Sequence, residues 1–320
     1  MGTKKIGIVG TGGVARGSYL PYLSKRSDVK LCYASRTFSK AEDVAKKFGG
    51  TAYASVEEIC QAERPDIGMI LTNESAHLIA ARQLLACGVK RIFLEKPMVA
   101  KYGQANVTHE DYLDARDFME EAKAAGCSVA MIFNYRFYDL TRKIQQLVNE
   151  RKLGKLIQSS WLVNYACWSH CIDLLLAFSE GVNTVAAIGE KKENADLAAA
   201  FTTANGGTGI ILGTQGTDFA HPLYHVTLNF QGGTICFNDL DTELSLCQRG
   251  SDYSETFRLL GNRSRWDKYH ASFAKSLEAY LDSVDKNLEP PVPGAAGLAE
   301  LQFEAALRRS AASGQTVTLE

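Results

Sequence analysis

Lys5-Ile6-Gly7-Ile8-Val9-Gly10-Thr11-Gly12-Gly13-Val14-Ala15 is the stretch on which the fold of this chain turns. A short apolar strand runs into G-x-G-x-x-A. Gly10 permits the tight turn, Gly12 lets a pyrophosphate approach the backbone, and Ala15 lets helix and strand pack closely. The following helix is expected from near Gly13 to about Ser24, with Pro21 kinking it or ending it early. Its N-terminal N–H groups form an anion site. Gly10, Thr11, Gly12, Gly13 and Val14 are the candidate contacts to a dinucleotide.

Working outward, apolar runs near 5–9, 29–34, 67–71 and 91–94 alternate with helical stretches near 38–48 and 76–87. That alternation predicts a parallel, doubly wound sheet with ligands at the carboxyl ends of its strands. After the second strand, an NAD-selective site would carry an acidic residue for the ribose 2′-hydroxyl. This chain has Ser35-Arg36 there, with Lys40 one turn further on. Cations at that place suit the 2′-phosphate of NADP, because guanidinium and ammonium groups supply charge-assisted donors to phosphate oxygens. Asp28, the rival acidic residue, precedes the strand instead of ending it.

The strand Ile67-Gly68-Met69-Ile70-Leu71 ends at Thr72-Asn73, with His77 in the helix that follows. Arg91-Ile92-Phe93-Leu94 ends at Glu95-Lys96-Pro97, where the proline biases Lys96 toward an extended backbone. Thr72, Asn73, His77, Glu95 and Lys96 therefore join the cofactor candidates at one sheet edge.

Composition excludes several classes. The 320 residues carry a net charge of −1, which argues against a nucleic-acid partner, and no apolar run is long enough to cross a bilayer. The first strand begins too early for a signal peptide, so the cytoplasm is the expected location. Eight cysteines are scattered without C-x-x-C pairs and are expected to be reduced. Cys167, His170 and Cys171 could share a helix face, but no fourth ligand with suitable spacing accompanies them, so no metal is expected.

Strand-G-x-G-x-x-A, Ser35-Arg36, the T-N-x-x-x-H segment from Thr72, Glu95-Lys96-Pro97, and His170-x-x-Asp173 together resemble the Gfo/Idh/MocA oxidoreductases, and the resemblance covers nearly the whole chain. It implies an α/β fold: an N-terminal Rossmann doubly wound sheet over residues 1–128 and a C-terminal α+β domain over 129–320 with an open, mainly antiparallel sheet. Asn134-Tyr135-Arg136-Phe137 resembles the family's N-Y-R segment at the start of the second domain, leading through a helix to about Glu150 and a strand near 155–164.

Between Gly181 and Gln248, short β-rich stretches separated by Asn205-Gly206-Gly207 and Gln231-Gly232-Gly233 read as a meander of hairpins. An amphipathic segment near 265–285 and a helix from about Gly294 to Ala312 close the chain. The polar stretch from Lys101 to Asp117 is long for its place and reads as a solvated surface loop, with a lid over the cofactor as the alternative.

By resemblance, Lys96 and His170 are the proton-handling groups, and Asp173 touches substrate or orients the site. Arg136, Tyr165 and Trp168 are further substrate candidates, the two aromatics forming a wall. Many family members carry an Asp four residues before the histidine, where this chain has Ala166. The expectation is an NADP(H)-dependent oxidoreductase acting on a carbonyl or hydroxyl carbon of a sugar, cyclitol or related metabolite. Alternatives are a reductase of C=N bonds and a non-catalytic NADP-binding sensor. A homodimer or homotetramer is implied by the resemblance alone.

Overall fold

The computed structural model describes residues 2–104, 106–189, 196–214, 222–261 and 264–319. The chain forms two compact units, one comprising Met1–Gln104, Glu110–Phe133 and Phe273–Leu301, the other Ala105–His109, Asn134–Ser272 and Gln302–Glu320.

The first unit is built on six parallel strands: β1 (Lys4–Val9), β2 (Val29–Ala34), β3 (Thr51–Tyr53), β4 (Ile67–Ile70), β5 (Arg91–Leu94) and β6 (Ser128–Met131). Their order is 3-2-1-4-5-6, the doubly wound order of nucleotide-binding sheets. Every residue of β4 is buried, as expected of a strand covered on both faces. Helices α1 (Leu20–Leu23), α2 (Phe38–Phe48), α3 (Val56–Glu63), α4 (His77–Ala86) and α5 (His109–Ala124) form the crossovers.

Three details depart from the sequence reading. Pro21 neither ends nor sharply breaks the first helix: a π-helical turn over Ala15–Tyr19 precedes it, in which Leu20 N–H donates to Ala15 O, and helix continues to Leu23. The wider register lets the chain pass a residue that has no N–H to give. The stretch from Lys101 to Asp117 is not a loop throughout, because α5 begins at His109 and buries Asp111, Tyr112, Ala115, Phe118 and Ala122. Its many charges hid a one-sided stripe.

The third departure concerns domain limits. β6 pairs in register with β5, so residues past 128 still belong with the first unit, and Phe273–Leu301 returns to it. Within that unit Phe273 packs edge-on against Tyr19, Tyr280 lies against Phe93, and Met131 N–H donates to Val292 O at 2.9 Å.

The second unit opens with a 3₁₀ turn over Asn134–Phe137 and α6 (Asp139–Glu150). It then contributes β7 (Leu156–Asn164), α7 (Trp168–Ser179), β8 (Val182–Gly189), β9 (Leu197–Thr203), β10 (Thr208–Thr214), β11 (Tyr224–Phe230), β12 (Gly233–Asn238), β13 (Glu243–Gln248) and β14 (Ser254–Phe257). Helices α8 (Arg265–Asp285) and α9 (Gly294–Ser313) and the short β15 (Val317–Thr318) complete the described chain.

The sheet runs β14-β13-β12-β11-β7-β10-β9-β8-β15. Both expected hairpins are present, but β7 inserts between β11 and β10 and pairs parallel with β10, so the sheet is not a simple meander. The connections at 190–195 and 215–221 lie outside the described residues. One face covers a core that includes Trp161, Ile211, Val226 and Phe303. The other carries Leu162, Leu212, Ala198 and Ile188 in one cross-strand row, with Leu162 46%, Leu212 38% and Ile188 73% exposed.

Candidate functional site

In the first unit the strand order diverges at the β1–β4 pair, which sets a crevice at the carboxyl ends of those strands. Gly10 sits there with φ +99°, and its N–H donates to Ala34 O at 2.9 Å. A Cβ at Gly10 would stand 2.6 Å from Leu71 C and O, so this turn accepts only glycine.

Beside it the chain is open: a Cβ on Gly12 or Gly13 would meet nothing within 4 Å. Thr11 is buried, and its Oγ1 has no hydrogen-bond partner in the protein. An orphaned hydroxyl, bare glycine backbone and the start of a helix are what a pyrophosphate needs, so the residues fit a dinucleotide.

Ser35 is half-buried at the end of β2, while Arg36 and Lys40 are exposed. Thr37 stands at the N-cap position of α2 without a side-chain cap, and Lys40 N–H donates to its backbone O at 3.0 Å. Asp28, at the opposite end of β2, is held by Arg26 Nε and NH2 at 2.9 and 2.7 Å. Arg16 escaped the sequence reading: its Nε donates to Thr11 O at 2.9 Å and its NH2 to Lys40 O at 3.3 Å, bracing the Gly-rich turn against α2. Only its place in the first helical turn hinted at that.

At the end of β4, Asn73 Oδ1 accepts from Ser75 N–H and Oγ, capping a short 3₁₀ turn, and Thr72 Oγ1 donates to Asn73 O. His77 is buried. Its Nδ1 lies 2.8 Å from Pro97 O and its Nε2 3.2 Å from Thr72 O; a neutral ring donates to one of them at a time. The imidazole thus clasps the β4 corner to the β5 corner from behind.

At the end of β5 both oxygens of Glu95 serve the protein: Oε1 accepts from Tyr19 OH at 2.6 Å and Oε2 from Lys96 N–H at 2.7 Å. Glu95 thereby fixes the backbone that carries Lys96, and the Lys96–Pro97 bond is cis. Lys96 is half-buried, and its Nζ donates to Gln104 Oε1 at 3.0 Å.

In the second unit, the Asn134–Phe137 turn docks on α7, and two consecutive residues meet the motif there. Tyr135 stacks on His170 with centroids 4.1 Å apart and planes 11° apart. Arg136 grips Asp173 with Nε–Oδ2 at 2.7 Å and NH2–Oδ1 at 2.6 Å. Asp173 is buried, and burial pushes its carboxyl up to about 6 while the Arg136 guanidinium pulls it down. Arg136 and Asp173, both read as substrate contacts, are bound to each other.

Asn134 Nδ2 donates to Ser272 Oγ at 2.7 Å, while its buried Oδ1 has no protein partner. Trp168 does not form an open wall. Its side chain lies inside the core, and its Nε1 donates to the buried Glu304, which also accepts from Arg308 Nε. Tyr165, half-buried with its ring 5.1 Å from that of Trp168, is the aromatic nearer the surface. Among the described residues no group of three or more His, Cys, Asp or Glu side chains is placed to hold a metal ion.

These features define a nucleotide-binding α/β fold. Residues 4–131 match the Gfo/Idh/MocA family model, described as an oxidoreductase family with an NAD-binding Rossmann fold. The chain is 28% identical over 156 residues to glucose-6-phosphate 3-dehydrogenase of Bacillus subtilis (strain 168), an alignment covering 48% of this chain and 40% of the relative. It is also 28% identical over 152 residues to D-xylose 1-dehydrogenase (NADP(+)) 2 of Haloferax volcanii, covering 47% of this chain and 43% of the relative.

The chain thus spans less than half the length of these curated relatives. In fold it resembles an oxidoreductase from Agrobacterium radiobacter crystallised with NAD+, L-tartaric acid and magnesium, with a TM-score of 0.83 at 16% identity, covering 99% of this chain and 98% of that one. No helix among the described residues is long and apolar enough to cross a membrane.

Proposed function

We propose that this chain is an NADP(H)-dependent oxidoreductase that transfers hydride to or from a carbonyl or hydroxyl carbon of a sugar, cyclitol or related small metabolite. The observation that carries the reading is the common carboxyl edge of the six-stranded sheet. It holds a glycine turn with an orphaned Thr11 hydroxyl, two exposed cations after β2, and a lysine whose backbone is anchored by Glu95.

Bound nicotinamide would supply or accept the hydride. Lys96 Nζ, which already donates to an amide oxygen, donates to the substrate oxygen and steadies the charge that develops on it. His170 is the second proton-handling group of this reading, its ring plane set by Tyr135. Arg36 and Lys40 meet the 2′-phosphate, and the commitment of Asp28 to Arg26 at the other end of β2 favours that choice over NAD. The apolar row Leu162, Leu212, Ala198 and Ile188 supports pairing with a second copy of the chain.

Fluorescence titration with NADPH and NADH, followed by a panel of keto-sugars and inososes, tests the reading. Arg36→Gln should weaken NADPH by about 10- to 100-fold, the worth of a charge-assisted hydrogen bond, and leave NADH nearly unchanged; equal losses refute the 2′-phosphate contact. Lys96→Ala should abolish hydride transfer while NADPH still binds, and full activity in that variant would remove the lysine from the chemistry.

A further inference from the structure

The polar stretch after Glu95-Lys96-Pro97 contributes one side chain to the lysine itself. Its first part is a strap from Ala100 to Gln104 pinned at both ends to one residue: Ala100 N–H donates to Glu74 O at 3.4 Å, and Gln104 N–H donates to Glu74 Oε1 at 3.3 Å. Between these points Gly103 N–H closes a turn onto Ala100 O at 3.2 Å. Lys101 is tied to α5 through its N–H to Asp111 Oδ1 at 3.1 Å and its Nζ to Asp114 Oδ2 at 3.1 Å. The strap is therefore anchored to the β4 corner and to α5, and from it the Gln104 side chain reaches Lys96 Nζ at 3.0 Å.

We propose that Gln104 is a positioning residue for Lys96: its amide oxygen holds the ammonium on the carboxyl edge and stays bound to it during turnover. This rests on the role of Lys96 proposed above. A lysine head group rides on a flexible four-carbon stem and loses rotamer freedom when it is fixed. Glu95 fixes only the backbone of Lys96, so the side chain needs an acceptor of its own. An ammonium has three donors. One goes to Gln104, and two remain for the substrate oxygen. A side-chain amide cannot take the lysine proton at neutral pH, so the contact orients the group without discharging it.

The test compares Gln104→Leu, which removes the acceptor, with Gln104→Glu, which keeps both the length of the side chain and an acceptor. Acetylation of Lys96 by an amine-reactive ester in the cofactor-free protein, followed by peptide mass spectrometry, reads the contact without turnover. With Gln104→Leu the labelling rate is expected to rise about five-fold and kcat to fall at least about ten-fold, while KM and NADPH affinity stay within about two-fold. Gln104→Glu stays within about three-fold of wild type in both readouts, which a merely structural role of the strap would not predict.

Unchanged labelling in Gln104→Leu, or equal changes in both variants, overturns the proposal. So does a lower KM with kcat unchanged, because Gln104 would then only compete with substrate. If the wild-type protein turns over no substrate, the oxidoreductase reading falls, while the labelling arm still decides the contact.

Discussion

Arg136→Ala leaves the buried Asp173 carboxyl without either donor that now grips it at 2.6 and 2.7 Å. Even with Arg136 in place, burial holds that carboxyl at about 6 instead of 3.8. At about 1.4 kcal/mol per pH unit this is roughly 3 kcal/mol against the ionised form. A carboxyl whose folded pKa lies above its unfolded value contributes stability that is full below about pH 4 and is lost as pH rises through the folded value.

In the wild type that loss is complete a little above pH 6; without Arg136 the folded value rises and the loss extends to higher pH. The variant should therefore be destabilised by about 3–5 kcal/mol at pH 8, the usual cost of orphaning a buried charge. At pH 5, where the carboxyl is protonated in both folded proteins, the loss should be less than half as large. Urea unfolding midpoints at the two pH values measure this. A loss equal at both, or below about 1 kcal/mol at pH 8, would refute the argument. Adding Asp173→Asn to Arg136→Ala should recover most of the pH 8 deficit by removing the charge.

Gly10→Ala, with its Cβ 2.6 Å from the Leu71 backbone and φ at +99°, should cost at least about 3 kcal/mol and abolish NADPH binding. Gly12→Ala, whose Cβ meets nothing within 4 Å, should leave the unfolding midpoint within about 0.5 kcal/mol yet weaken NADPH clearly in the same titration; unaltered affinity would move the pyrophosphate elsewhere. Glu63, hydrogen-bonded by Lys30, Tyr53 and Lys5, has its carboxyl pulled down to about 2 from 4.5. Its contribution is present above the unfolded value and lost as pH falls through the folded one, so Glu63→Gln should flatten the acid limb of a stability–pH profile. A limb of unchanged steepness would show that other carboxylates carry it.

What was legible in the sequence follows from the range of the interactions. The G-x-G-x-x-A turn, the strand ends just before Ser35, Thr72 and Glu95, and helices α6, α8 and α9 are dictated by local period and turn chemistry, and they fall close to where the pattern puts them. The π-helical turn before Pro21 was not legible, because the chain has several ways to pass a proline and packing selects one. Helix α5 was masked by Glu110, Asp111, Asp114, Arg116 and Asp117, a charge density that looks like a loop until Asp111 is seen buried.

Partnerships were the least visible. Tyr135 and Arg136 were singled out with His170 and Asp173, but nothing in their spacing says that the first pair stacks and the second forms a salt bridge. Gln104 with Lys96, Arg16 with Lys40, and Trp168 with Glu304 belong to the same class. Each joins residues that no periodicity relates.

The return of Phe273–Leu301 to the first unit bears on how the protein is made. The nucleotide-binding half is not a prefix of the chain: Lys4, near its beginning, pairs with Asp285 at 2.6 Å, and β6 is completed at its outer edge by the isolated bridge from Ala130 to Pro293. A ribosome that has delivered residues up to Phe133 has released six strands with one flank uncovered. Strands β7 to β14 of the second sheet are synthesised before the missing cover arrives. The closing segment of the nucleotide half is therefore translated only after most of the second unit, and a gene fragment ending near the first border between the units would lack that closing piece.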